Sequence, residues 1–291
     1  NKKWYDSTDF VASISKVTSD IVQTVSPDVD EQYVPHAVPM EIFKKATTST
    51  LEEMRKNNPA LENKFVFFWN NRNARRKQSG TLVHWYKNFI DQDHIDSTKV
   101  ALLMHTDPND PNGQPLEYLA TKLGMTNSEI IFSKGGISTE ELAHIYGLAD
   151  CTINISDAEG FGLATLESLS CETPIIVNMT GGLQEQVTDG ENWFGVGIEP
   201  SSKAVIGSQS VPYIYEDRIA EEDLIAAMNK IYGMSTEDRE NLGKLGRQHV
   251  EKNYNFVDFQ KTWVDIMIRV HEKFGSWENR KSYKSWRLEE I

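Results

Sequence analysis

Glu159 and Glu167, with seven residues between them, are the side chains whose spacing points most directly to chemistry. They lie in ISDAEGFGLATLESLSCETPIIV, residues 155–177, where glycines at 160 and 162 bracket a turn and helical periodicity follows. Glu159 then stands just before a helix and Glu167 about two turns along it, roughly 10 Å away at 1.5 Å per residue. That separation does not suit two carboxylates acting as acid and base on one bond. It suits the two ends of an elongated ligand, each carboxylate accepting hydrogen bonds from vicinal hydroxyls.

The centre of such a ligand needs positive charge. After the apolar run FVFFW at 65–69 comes NNRNARRKQSG, which puts Arg72, Arg75, Arg76 and Lys77 in one loop. Glycines 160 and 162 let backbone amides approach closely, and a helix beginning near Phe161 points its positive end at the same place. A diphosphate would be held from two sides, and a molecule with hydroxyls at both ends and a diphosphate between them is a nucleotide sugar. The alternative is a first-turn carboxylate favoured by the helix dipole, with Glu167 an unrelated surface residue.

The elements that must position these groups alternate. Strand-length apolar runs at 65–69, 100–104, 130–132, 151–155 and 174–177 are separated by the helix-patterned GTLVHWYKNFI, PLEYLATKLGM, STEELAHIYGLA and FGLATLESLSC. The third opens on Ser138 and Glu141, the spacing of a capping box. Strand and helix in strict turn predict right-handed β-α-β units and an α/β fold with a doubly wound parallel sheet. WFGVGI supplies a sixth strand, residues 201–217 read as a loop or insertion, and three helices follow at about 220–232, 235–252 and 256–274. The last carries Phe256, Phe259, Trp263, Ile266, Met267 and Val270 on a broad apolar face. In such sheets ligands bind at the carboxyl ends of the strands, where the arginine loop, SDAEGFG and NMTGGLQE all fall.

Composition narrows the partners. With 291 residues, 39% of them hydrophobic, the chain can bury a core, and 43 acidic against 30 basic residues give a net charge of −13. This argues against a general binder of nucleic acid or membrane surface, because phosphate-rich partners would be repelled. Cys151 and Cys171 sit beside aliphatic residues without metal-ligand spacing and read as buried free thiols, which suits a cytoplasmic setting. No apolar run approaches the roughly 20 residues that span a bilayer.

EGFGLATLESLSCETPIIV, followed by TGGLQEQVTDG, resembles the donor-binding half of retaining glycosyltransferases with the GT-B fold, over about residues 30 to 275. That family's two glutamates separated by seven residues fall on Glu159 and Glu167, and its arginine and lysine five apart fall on Arg72 and Lys77. The resemblance implies transfer of a sugar from a UDP- or GDP-linked donor to a glycan, lipid or other hydroxyl acceptor. Arg72 and Lys77 would neutralise the diphosphate, and the amides of Gly160, Phe161, Gly162 and Leu163 would contact sugar and phosphate. Glu167 would take the ribose hydroxyls, while Glu159 would hold the transferred sugar and support positive charge at its anomeric carbon. Ser133 and His105, at the ends of the third and second strands, complete the expected donor contacts, whereas His36 falls in a linker. No metal or other cofactor is implied.

Two departures stand out: where the family commonly has glycine, this chain has Glu172 before Thr173-Pro174, and Asn71 before Arg72. Residues 1–40 read as a remnant of an N-terminal acceptor domain and its linker, containing one helix-like segment at 10–25. Residues 41–253 read as the donor-binding domain, and 254–291 as a helix and tail packing back toward the N-terminal domain. A chain opening on Asn1 is expected to be processed or part of something longer, and a nucleotide-sugar binding module lacking acceptor chemistry is the alternative to an enzyme.

Overall fold

The computed structural model describes residues 2–276 and 278–281. It begins with α1 (Lys2–Asp6), β1 (Val11–Ser13), α2 (Lys16–Val25) and β2 (Glu31–Tyr33), followed by α3 (Thr48–Asn57). The central unit runs β3 (Phe65–Asn70), α4 (Ser79–Ile90), β4 (Val100–His105), α5 (Leu116–Lys122), β5 (Ile130–Ser133), α6 (Thr139–Leu148), β6 (Cys151–Asn154), α7 (Leu163–Ser170), β7 (Ile175–Asn178), α8 (Leu183–Val187) and β8 (Gly195–Ile198). Then come β9 (Ser202–Ile206), β10 (Ile214–Arg218), α9 (Glu221–Tyr232), α10 (Thr236–Asn253) and α11 (Phe256–Phe274).

Six strands form one parallel sheet in the order β5-β4-β3-β6-β7-β8. Its inner strands are buried on both faces, and side-chain alternation divides the core in two. From β3, Phe67 and Trp69 point toward α4, α5 and α9, while Val66 and Phe68 point toward α6, α7 and α8. Ser138 and Glu141 make the reciprocal capping box that starts α6. Both cysteines are free and buried.

The N-terminal residues differ from their sequence reading. The helix expected over 10–25 starts only at Lys16, because Ser15 is extended and its side chain caps Thr18. Residues Val11–Ser13 instead pair in parallel with Glu31–Tyr33. This unit is fastened to α8, where buried Glu185 accepts from the Lys16 amide and the Tyr33 hydroxyl, each at 2.9 Å. It also meets α11 through Arg269–Gln32 and Lys273–Asp30 contacts of 3.0 Å. On α11, Ile266 is buried but Met267 is 65% exposed, so the apolar face is only partly covered. The tail expected to pack as an arm lies largely outside the described residues.

The stretch 201–217, read as a loop, is an antiparallel hairpin, β9 with β10, from Ser202↔Arg218 to Ile206↔Ile214. A buried Glu216 on its inner side broke the apolar alternation that would have signalled a strand.

Glu172 adopts φ 62°, so the left-handed turn that glycine ordinarily supplies before Thr173-Pro174 is kept with a side chain present, and Lys45 lies 3.4 Å from its carboxylate. Gly243 of α10 packs against the same turn: a Cβ there would sit 1.9 Å from the Glu172 carbonyl oxygen. Gly243→Ala should therefore push α10 off this turn and cost roughly 1–3 kcal/mol, read as a lower midpoint in thermal or urea unfolding.

Candidate active site

Strand order reverses between β3 and β6, and the residues that follow these two strands face one another there. The loop after β3 is stiffened by Asn73, which is fully buried. Its amide donates to the Gln114 carbonyl at 2.7 Å, and its Oδ1 accepts from Ser79 at 2.7 Å. Gln78, at φ 55°, then turns the chain into α4.

All four cations of this loop meet carboxylates. Arg72, largely exposed, makes a two-pronged contact with Asp110 in the loop after β4, with Nε 2.7 Å from Oδ2. This holds Asp110 well below the usual carboxylate range. Arg75 grips Glu216 of the hairpin, with Nη1 2.9 Å from Oε2. Arg76 donates to the Ala158 carbonyl at 2.7 Å and to Glu159 Oε2 at 3.0 Å. Lys77, only 9% exposed, donates to Glu159 Oε1. Burial alone would raise the Glu159 carboxyl, but Lys77 and Arg76 outweigh it and leave it below the ordinary glutamate value. Burial pulls the Lys77 ammonium down against the attraction of Glu159.

The glycine turn is built as the spacing predicts. Gly162 at φ 96° leads directly into α7, which has no side-chain cap. Among the described residues, the amides of Gly160, Phe161 and Gly162 donate to no protein acceptor. Gly181 closes the turn from the next loop, where a Cβ would fall 1.7 Å from the Glu159 carbonyl oxygen. Gln186 of α8 donates to the Phe161 carbonyl at 2.8 Å, so the turn is rigid while its amides stay free.

Glu167 lies on different partners from Glu159. The fully buried Tyr146 donates to its Oε2 at 2.8 Å, and Asn70, at the end of β3, donates to the same Tyr146 hydroxyl at 2.8 Å. Burial pushes the Glu167 carboxyl up to about 7, with the Tyr146 hydroxyl pulling the other way. The two glutamates therefore hold separate positions on separate partners.

His105 and Ser133 end adjacent strands, with Nδ1 and Oγ 3.0 Å apart, and burial lowers the imidazole. Leu163, at the start of α7, is 47% exposed. His36, which the sequence places only in a linker, reaches the crevice as well as His105: its ring packs edge-on against Phe161 of the glycine turn, 5.5 Å between centroids. Sequence patterning gave no sign of Tyr146 or Asn70 as partners of Glu167, since both occupy ordinary core-facing or strand-end positions. Among the described residues, no cluster of His, Cys, Asp or Glu is arranged to hold a metal ion, and no helix is long and apolar enough to cross a membrane.

Comparison with known proteins agrees with this fold. The family model described as glycosyl transferases group 1 matches residues 50–249. The MMP alpha-(1->4)-mannosyltransferase of Mycolicibacterium hassiacum is 40% identical over 83 residues, 28% of this chain and 20% of its own length. Sucrose-phosphate synthase from Thermosynechococcus elongatus shares the fold with a TM-score of 0.73 at 22% identity, over 93% of this chain and 60% of that one. HepE of Anabaena, solved with UDP-glucose, gives 0.70 at 15% identity, over 90% and 64%. The chain thus spans less than two thirds of the length of these relatives.

The raised Glu167 carboxyl has a consequence for stability. A carboxyl lifted from 4.5 to about 7 by folding favours the folded state fully below pH 4.5, and that contribution is lost as pH rises through 7. Glu167→Gln, which keeps an acceptor for Tyr146, should match the parent protein in acid and be more stable by up to about 3 kcal/mol at pH 8.5, in urea titrations at the two pH values.

Proposed function

The chain belongs to the glycosyl transferases group 1 family, and from that membership we propose that it transfers a sugar, with retention of anomeric configuration, from a nucleoside diphosphate sugar to a hydroxyl of a glycan or lipid acceptor. The observation that carries this reading is the meeting of Lys77 and Arg76 with Glu159 beside the free amides of the glycine turn, with Glu167 held apart by Tyr146. Residues 41–253 act as the donor-binding domain on this reading, and the segments on either side belong with the acceptor side.

Lys77, supported by Arg72 and by the amides of Gly160, Phe161, Gly162 and Leu163, stabilises the leaving diphosphate as its negative charge grows. The ribose hydroxyls donate to Glu167. Glu159 accepts from the hydroxyls of the transferred sugar and supports the positive charge that develops at its anomeric carbon. Ser133 and His105 complete the donor contacts from the ends of β5 and β4. HepE, of the same fold, was solved with UDP-glucose, which makes UDP-sugars the first donors to test and GDP-sugars the second.

Lys77→Ala and Arg72→Ala should each weaken UDP or GDP binding by roughly 1.5–3 kcal/mol in calorimetry, as expected for lost charge-assisted contacts. Glu167→Gln should weaken bare nucleotide and intact donor about equally. Glu159→Gln should instead lower turnover, measured as donor hydrolysis where no acceptor is at hand. Unchanged nucleotide affinity in both cation variants would rule the site out.

A further inference from the structure

We propose that Glu159 and the donor's diphosphate compete for the same two cations, and that Arg76 is a diphosphate-binding residue alongside Lys77. The idea rests on the nucleotide-sugar reading of the crevice and deepens it.

The charges around the loop after β3 motivate it. Arg72 and Arg75 are engaged by Asp110 of the loop after β4 and by Glu216 of β10, carboxylates to which the nucleotide-sugar reading gives no role. Lys77 and Arg76 are engaged by Glu159, the carboxylate that the chemistry needs free to face the sugar. Lys77 is buried, so its ammonium requires a negative partner nearby at all times. A diphosphate can fill that requirement, because it carries more charge than one carboxylate and is met by the amides of the glycine turn as well. Arg76 is placed for the same exchange. Its guanidinium spans the Ala158 carbonyl and Glu159, at the start of the glycine turn, and its side chain is 47% exposed and so free to re-aim.

The exchange couples two events. When the diphosphate takes Lys77 and Arg76, Glu159 loses both positive partners and is left with an unsatisfied charge beside the turn, where the sugar hydroxyls arrive. Asn154, whose amide lies 3.4 Å from Glu159 Oε1, remains to hold the carboxylate in place. A bare nucleoside diphosphate breaks the ion pairs without supplying sugar hydroxyls to Glu159, whereas the intact donor supplies both.

The test uses UDP and GDP as probes in calorimetry on the full chain. Glu159→Gln removes the competitor and should tighten binding of the preferred nucleotide about tenfold, opposite in sign to Lys77→Ala. Arg76→Ala, a change at a half-exposed side chain that leaves the fold intact by circular dichroism, should weaken it about tenfold. Intact UDP-sugar should gain less from Glu159→Gln than bare UDP does, since it loses a sugar contact. Equal or weaker nucleotide binding by Glu159→Gln, or unchanged binding by Arg76→Ala, overturns the proposal while leaving the nucleotide-sugar reading standing if Lys77→Ala still weakens binding. Failure of the parent protein and Glu159→Gln alike to bind either nucleotide overturns both.

Discussion

The architecture depends on how briefly β3 and β6 run together. They pair only at Phe67↔Cys151 and Phe68↔Thr152, whereas β3 and β4 pair at six successive positions. Beyond Phe68 the two chains diverge, and the gap between their following loops is the crevice. Two parallel strands that separate leave polar backbone facing a void unless something ties the loops together. Here the Asp157 amide donates to the Arg76 carbonyl at 2.8 Å, Gln78 donates to Asp157 at 2.6 Å, and Lys77 reaches Glu159. The groups that bridge the gap are also the groups suited to a ligand, so the site and the seam that closes it are built from the same side chains.

Net charge gives this seam its character. In a chain of charge −13, a loop with three arginines and a lysine within six residues is a strong local exception, and each of its cations finds a carboxylate from elsewhere in the fold. Asp110 comes from the loop after β4, Glu159 from the loop after β6 and Glu216 from the hairpin. The pairs are therefore long-range in sequence and hold three separate loops at fixed distances. Only Lys77–Glu159 is buried on both sides, a kind of pair that adds little net stability but is costly to break on one side alone.

Much of this was legible before any coordinates. The alternation of apolar runs and helical segments identified the parallel sheet, the capping box at Ser138 marked the start of α6, and the spacing of Glu159 and Glu167 put them on a turn and a helix. What stayed hidden depends on contacts between distant residues. The Val11–Ser13 strand is too short to show a period and exists because Glu31–Tyr33 lies beside it. His36 lies in a proline-rich linker whose path over Phe161 no local pattern encodes. Tyr146 sits at a position that any large core residue could fill, and only the fold reveals that its hydroxyl meets Glu167. The hairpin was concealed by Glu216, a charged residue at an inward position whose compensation by Arg75 lies 141 residues away in sequence.

That hairpin divides its own residues by parity. Glu216 faces inward to Arg75, and Asp217 is stitched to the sheet by its backbone, through the Asn178 amide at 2.8 Å. On the opposite face Val205 stands across from Tyr215, and Tyr213 lies two residues before it, all more than 60% exposed. Asp217, of the same parity as Tyr215, still ties back to the sheet, its Oδ2 accepting from Thr180 at 2.8 Å. Val205, Tyr213 and Tyr215 touch water more than protein, so a polar residue at any of the three would leave the Glu216–Arg75 pair and the loops below it undisturbed.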